Sequence, residues 1–191
     1  SVNKEIKVGV NNVNRPPKYK GVNSFSTKEG KNITYSLRGY DPDGDNVIFS
    51  LVEGLGYAKL VNETLTISPD FDTVKSPERE VDNVITLGLW DGKDNVEQNI
   101  SLSVTNVNRN VKISSFEPEP KFIVNRGEVV KFKVNAFDPD GGNITYYWNG
   151  GDGNDKDDHY RNMVKPGVRK FKVLVSDGES WDSVEWSFLV R

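Results

Sequence analysis

Apolar and polar residues alternate with a period of two through most of this chain, the spacing of half-buried β-strands and not of helices. Ile33, Tyr35 and Leu37 alternate with Asn32, Thr34 and Ser36, and Val130, Phe132 and Val134 alternate with Lys131 and Lys133. Later, Ile85, Leu87 and Leu89 share one parity, as do Phe171, Val173 and Val175, while Val184, Trp186, Phe188 and Val190 mark a closing strand. No segment carries a helical period. Between these runs stand Gly, Asn, Asp and Pro, the residues of tight turns.

The alternation is itself repeated. Asp41-Pro42-Asp43-Gly44-Asp45-Asn46 returns as Asp138-Pro139-Asp140-Gly141-Gly142-Asn143, an offset of 97 that holds from Gly30 and Gly127 to Leu51 and Trp148. Trp90-Asp91-Gly92 returns as Ser176-Asp177-Gly178 at an offset of 86, so the connection between the two blocks differs in length. A third echo sets Ile6, Val8, Val10 and Asn12-Val13-Asn14-Arg15 against Ile100, Leu102, Val104 and Asn106-Val107-Asn108-Arg109. Short strands in repeats of about 90 residues predict an all-β chain of two antiparallel sandwiches in tandem. Residues 1–14 read as the last strand and linker of a preceding repeat, 15–108 as one sandwich and 109–191 as another. The linkers are too short to be flexible tethers, and Pro16-Pro17 hold the first one extended, so the modules are expected end to end with limited freedom, as in a stalk. An orphaned strand at 1–11 leaves unpaired backbone groups, and is expected to be poorly ordered or borrowed by another molecule.

Composition narrows the chemistry. The 191 residues hold 28 acidic and 25 basic side chains, a net charge of −3, which provides no basic field for nucleic acid. No apolar run approaches the roughly 18 residues of a spanning helix. Lys4, Glu5 and Lys7 interrupt any apolar run at the N-terminus, and the start at Ser1 without Met reads as that of a fragment. There is no cysteine and a single histidine, His159, which excludes disulfides, thiol nucleophiles and Cys- or His-rich metal sites. Hard, oxygen-liganded cations are what remains. Sequons at Asn32, Asn62, Asn99 and Asn143 permit glycosylation without showing it.

The motifs carry a resemblance. Thr27-Lys28-Glu29-Gly30, Asp41-Pro42-Asp43-Gly44-Asp45-Asn46, Glu78-Arg79-Glu80, Asp91-Gly92 and the Val104-Thr105-Asn106-Val107-Asn108-Arg109 linker resemble a cadherin-like module of prokaryotic surface proteins. Trp148-Asn149-Gly150-Gly151-Asp152-Gly153, His159-Tyr160 and Pro166-Gly167 resemble a polycystic-kidney-disease (PKD) type module. The resemblance implies Greek-key, immunoglobulin-like sandwiches, an extracellular or cell-surface location, and calcium at the module junctions. Carried over by residue, one junction would use Glu29, Glu78, Glu80, Asn106, Asn108 and Asn110 with Asp138, Asp140, Asn143 and Asp177. The upstream junction would use Asn12, Asn14, Asp41, Asp43, Asn46 and Asp91, with Asp45 in the same turn. Two departures matter: where calcium-stiffened cadherins have Asp-x-Asn-Asp-Asn, this chain has Asn106 and Arg109, and Asn12 and Arg15 upstream. Arg109 is therefore expected to act as a tethered cation, pairing with Glu80 or Asp138, with one calcium retained per module at the Asp-x-Asp turn. An EF-hand is excluded, because Gly44 comes two positions early and Val52 replaces the required glutamate.

Each motif has a plainer reading beside it. Asp-Pro-Asp-Gly is a good turn without any ion. The acidic run 151–158 chelates calcium or is a solvated loop. Trp148 and Trp186 share the parity of core residues, whereas Trp90 and Trp181 lie on the opposite parity. His159 has no serine in a nucleophile turn nearby, and no pair of carboxylates stands out, so no catalytic residue is expected. The leading function is a pair of structural or adhesive modules of a large surface or secreted protein, contacting neighbouring modules of the same chain, another surface protein or a glycan. The alternative is a carbohydrate-binding or accessory module of an extracellular hydrolase, and an enzyme domain is the third reading.

Overall fold

The computed structural model describes residues 4–191. The chain divides into two compact units, one made of residues up to Thr73 together with Glu80–Thr105, the other of Val74–Arg79 and Asn106–Arg191. The expected upstream strand falls partly outside the described residues, at 1–3. Residues 4–11 carry no strand, and Ile6, Val8 and Val10 are exposed.

In the first unit, β1 (Lys18–Tyr19) pairs with β4 (Gly39–Tyr40), and β3 (Ile33–Ser36), β7 (Thr64–Ile67) and β6 (Ala58–Val61) form a second small sheet. The third sheet runs β2 (Ser24–Lys28), β9 (Asn95–Thr105), β8 (Glu80–Trp90), β5 (Ile48–Glu53). In the second unit β10 (Lys112–Glu117), β12 (Val129–Phe137) and β14 (Asp158–Asn162) face a sheet of β11 (Ile123–Val124), β16 (Trp181–Val190), β15 (Gly167–Ser176) and β13 (Thr145–Trp148). Both orders are those of an immunoglobulin-like sandwich whose first strand is shared between the sheets. The connection that differs between the repeats holds β6 and β7 in the first unit and β14 alone in the second.

The pairing is not wholly the antiparallel one expected from short strands joined by turns. β2 runs parallel to β9, with Phe25 opposite Leu102, and β11 runs parallel to β16, with Ile123 opposite Leu189. The cause is a broken first strand. Pro118 and Pro120, which lack an amide donor, end β10, and the chain restarts as β11 against the opposite sheet.

The expected core parity holds. Ile85, Leu87, Leu89, Ile100, Leu102 and Val104 are buried in the first unit. In the second, Phe132, Phe171 and Trp186 pack within 6.3 Å of one another, centroid to centroid, and Trp148 stacks on Trp186. The two buried indoles keep their N–H groups satisfied, Trp186 donating to Pro118 O at 2.7 Å and Trp148 to Lys156 O at 2.9 Å. The second of these bonds, with Val134 N on Asp157 O and Lys131 Nζ on Asp158 at 2.9 Å, pins the acidic run to the sandwich. His159 lies over Trp148 and against Phe171, and burial lowers its pKa, so it stays neutral at pH 7. Trp90 and Trp181 are exposed, as their parity predicts. Because Trp186 is 0% exposed, Trp186→Ala is expected to cost about 3–5 kcal/mol in denaturant unfolding, through lost burial and the cavity left behind.

Candidate functional site

Each sandwich carries an Asp-Pro-Asp turn whose first aspartate binds its own turn. Asp138 Oδ1 accepts from Asp140 N at 2.8 Å and Oδ2 from Gly142 N at 3.0 Å. Both oxygens are thus engaged by amides, and the second aspartate is left to receive the linker. Arg109 donates its backbone N–H to Asp140 Oδ2 and its Nε to Oδ1, each at 2.6 Å, and its Nη2 to Pro139 O at 2.7 Å. These bonds join Arg109 to Asp140, where the sequence led to the expectation of Glu80 or Asp138. The reason is that the turn amides already hold the Asp138 oxygens, and the Arg109 amide fixes which carboxylate the guanidinium can reach.

The first unit repeats this arrangement. Arg15 donates its backbone N–H to Asp43 Oδ2 at 2.7 Å, its Nε and Nη2 to Asp43 Oδ1 at 2.9 and 2.8 Å, and Nη2 also to Pro42 O. Hydrogen bonds from the Arg15 side chain and backbone hold the Asp43 carboxyl below its ordinary pKa.

A second tie joins each linker asparagine to the aspartate of the Asp-Gly turn. Asn108 Nδ2 donates to Asp177 Oδ2 at 3.2 Å, and Asn14 Nδ2 to Asp91 Oδ2 at 3.0 Å. Asp177 also accepts from Ser180 N and Oγ at 2.5 Å, Glu179 N at 2.7 Å and Val111 N at 3.3 Å. Burial alone would raise the Asp177 pKa, but the Ser180 hydroxyl and the amides of Ser180, Glu179 and Asn108 together hold it far below the usual carboxylate range.

In the second unit Asn108, Asp138, Asp140, Asn143 and Asp177 line one crevice of about 270 Å³, together with Asn106. In the first unit Asp41, Asp43, Asp45 and Asp91 are gathered around Asn14, Arg15 and Lys93. Lys93 Nζ reaches Asn14 Oδ1 at 3.3 Å and Asp45 Oδ2 at 3.4 Å. Glu29 and Glu80 belong to the first unit. Glu29 is only 2% exposed, and Glu80 accepts from the Ser103 hydroxyl. Two residues not singled out in the sequence, Ser76 and Glu179, also contribute: Ser76 donates its amide to Asp140 O, and Glu179 pairs with Arg79 at 3.1 Å. Lys93 carried a signal in following Asp91-Gly92, whereas Ser76 carried none.

One buried carboxylate oxygen differs between the repeats. Asp41 is 8% exposed. Its Oδ1 accepts from Asp43 N at 2.7 Å and Asp45 N at 3.4 Å, while Oδ2 is buried and receives no hydrogen bond from the protein. Asn106 Oδ1 in the second unit is likewise buried without a donor. The difference between Asp41 and Asp138 traces to Gly142, which stands where the first repeat has Asp45. A Cβ at Gly142 would collide with Asp138 Oδ2, so only glycine lets that amide approach the oxygen. Among the described residues, no three His, Cys, Asp or Glu side chains are placed to hold a metal ion.

No protein-family model matches the sequence, and no curated protein matches it. The chain is similar to the structure of human protocadherin-24 EC1-2, at 16% identity over 94% of this chain and 99% of that one, with a TM-score of 0.47. It is also similar to an endo-fucoidan hydrolase of glycoside hydrolase family 107, at 15% identity and a TM-score of 0.43. That match covers 92% of this chain and spans only 28% of the hydrolase. A third similar structure, the titin domains z1z2 in complex with telethonin, gives 12% identity over 94% and 98% of the two chains and a TM-score of 0.42. The strand order and cores described above place both units in the immunoglobulin-like and cadherin-like class of β-sandwich.

Two outcomes follow from this geometry. Gly142→Ala is expected to cost about 1–3 kcal/mol in denaturant unfolding, because Asp138 Oδ2 loses its amide. Asp91 and Asp177 both have lowered pKa values, so their contribution is present above the unfolded-state value and is lost as pH falls through the folded one. The melting temperature is therefore expected to hold from pH 7 to about 5 and to fall below about pH 4, with Asp177→Asn lowering the plateau and weakening the acid loss.

Proposed function

We propose that the two units are structural and adhesive modules of a large cell-surface or secreted protein, the first cadherin-like and the second PKD-like as in prokaryotic surface proteins. In each, the linker is fixed to the sandwich it enters. The observation that carries this is the arginine clamp, present twice with the same three acceptors: both oxygens of the second aspartate and the proline carbonyl. A linker held by its backbone amide, its guanidinium and its asparagine keeps one direction relative to its own sandwich, which is the mechanical requirement for a spacer.

The clamp also bears on calcium, the cation that the cadherin resemblance implies. At Asp43 and Asp140 the positive charge is supplied by a guanidinium, so neither carboxylate is open to an ion. Calcium enters this proposal at one place, the Asp41 turn, where a buried carboxylate oxygen has no donor. Asp41 would hold it, with Asp45 beside it in the same turn. A hard cation there would satisfy the oxygen that Gly142 satisfies in the second repeat.

The test separates the two cations. Asp140 is 2% exposed at its side chain and Arg109 30%, so Arg109→Ala strands a buried carboxylate and is expected to cost about 3–5 kcal/mol. It should also raise amide exchange at residues 109–111, in calcium and in chelator alike. The exposed Arg15→Ala should cost less. Calcium at about millimolar concentration should raise the melting temperature of the intact chain, and Asp41→Asn should remove that rise. Unchanged exchange in Arg109→Ala would show that the linker is not held by this clamp.

A further inference from the structure

The end of the second unit away from the clamp has a different chemistry. β15 runs from Gly167 to Ser176, and ten residues of strand span about 33 Å, so the loop before Gly167 and the Asp177 turn lie at opposite ends of the sandwich. No acidic residue occurs between His159 and Ser176, a stretch that contains Arg161, Lys165, Arg169, Lys170 and Lys172. The fold brings this stretch against β16 to form a crevice of about 270 Å³, lined by the cations Arg161, Lys165, Arg169 and Lys170 and by the apolar Met163, Val164, Phe188 and Val190. Of the apolar residues, Val164 is 55% exposed and can meet a ligand, whereas Met163, Phe188 and Val190 are each at most 3% exposed and close the crevice from beneath.

Three of these cations have no ion-pair partner: among the described residues, no carboxylate forms an ion pair with Arg161, Lys165 or Arg169. Glu185 is taken by Lys170 at 2.8 Å, and the Glu128 carboxylate by the amide and side chain of Asn125 at 3.1 and 2.8 Å. The guanidinium groups are nevertheless held in place by neutral partners. Arg169 donates Nε to Lys165 O at 3.2 Å and Nη2 to Pro166 O at 2.7 Å, and Arg161 lies over the Phe171 ring at 5.0 Å. A positioned guanidinium without an ion-pair partner is arranged for an oxyanion, carboxylate or sulfate, since little side-chain freedom is lost when one binds.

We propose that this crevice binds the acidic groups of an anionic polysaccharide, sulfated or carboxylated. A sugar ring presents an apolar C–H face and carries its acid group at the edge, which matches the exposed Val164 side chain beside the cations that line the same crevice. The volume falls below the roughly 300–1,000 Å³ of sites that enclose a whole drug-sized ligand, so the crevice takes one ring and its charged group while the polymer continues outside. This site is independent of the linker clamp, so either can fail without the other.

The test uses the intact chain and two probes, a sulfated dextran oligosaccharide and a polygalacturonate oligosaccharide, with unmodified dextran as the neutral control. Calorimetry should show saturable binding of at least one acidic probe, weakening as salt is raised, and none of the neutral one. Arg161→Gln with Lys165→Gln should weaken binding by about tenfold or more, whereas Lys31→Gln with Lys59→Gln, exposed cations of the first unit, should leave it unchanged. Lys165→Gln alone guards against a folding defect, because that side chain makes no hydrogen bond among the described residues, and it should still weaken binding measurably. Absence of binding by both acidic probes, or an equal loss in the control variant, would overturn the proposal. So would binding to phosphatidylserine vesicles without binding to either oligosaccharide, which would assign the crevice to a membrane surface.

Discussion

The organisation of each unit at its linker end depends on a division of labour between two aspartates in one turn. The first turns inward and accepts the amides of its own turn, and that frees the second to accept a side chain from elsewhere. In the second unit the recipient is Asp140, and Arg109 reaches it from 31 residues away along the chain. Asn108 then reaches Asp177, and Asp177 holds Val111 N, the first core residue of the sandwich. Three segments remote in sequence are thereby one hydrogen-bonded unit. Because Asp140 is buried, the network is an all-or-none device: a buried carboxylate without its cation is far costlier than a surface one.

Comparison of the repeats shows how little sequence change redirects this network. Gly142 and Asp45 occupy the same place, yet one satisfies the turn aspartate completely and the other leaves an oxygen bare. Two positions past each Asp-Gly aspartate the charge is reversed. Lys93 bridges Asn14 and Asp45 in the first unit, and Glu179 pairs with Arg79 in the second. Three positions past, Asp94 accepts from Asn14 where Ser180 accepts from Val111 N. The shared part is the arginine, the asparagine and the proline carbonyl; the variable part decides whether a small cation has anything left to bind.

The two sandwiches and their cores were legible in the sequence, since a period of two states directly which side of a strand is buried, and Trp148, Trp186, Phe132 and Val173 follow it without exception. Strand direction was not legible, because alternation is the same for parallel and antiparallel neighbours, and so the pairing of β2 with β9 and of β11 with β16 emerged only from the fold. That Arg109 supplies a tethered charge could be read from its place in the linker. Its partner could not, because the choice between Asp138 and Asp140 is made by backbone amides that no motif displays. The crevice near Arg161 was missed although its signal, an acid-free stretch with five cations, lies in plain sequence; its meaning depended on β16 arriving to close the crevice.

The unit's two ends therefore differ in what their charges can still do. At the linker end, acidic side chains outnumber basic ones, but arginine, asparagine, hydroxyl and amide groups already consume Asp138, Asp140 and Asp177, and binding anything further requires an internal partner to be displaced. At the other end, the Arg169 and Arg161 guanidinium groups are held by carbonyls and a ring and form no ion pair among the described residues, so an incoming oxyanion displaces no internal counter-charge. Charge that is already compensated maintains a shape, and charge that is positioned but uncompensated is available for recognition. On that ground, the external contact we propose for the second sandwich is placed at the Arg161 end, while the Asp140 end works on the chain's own linker.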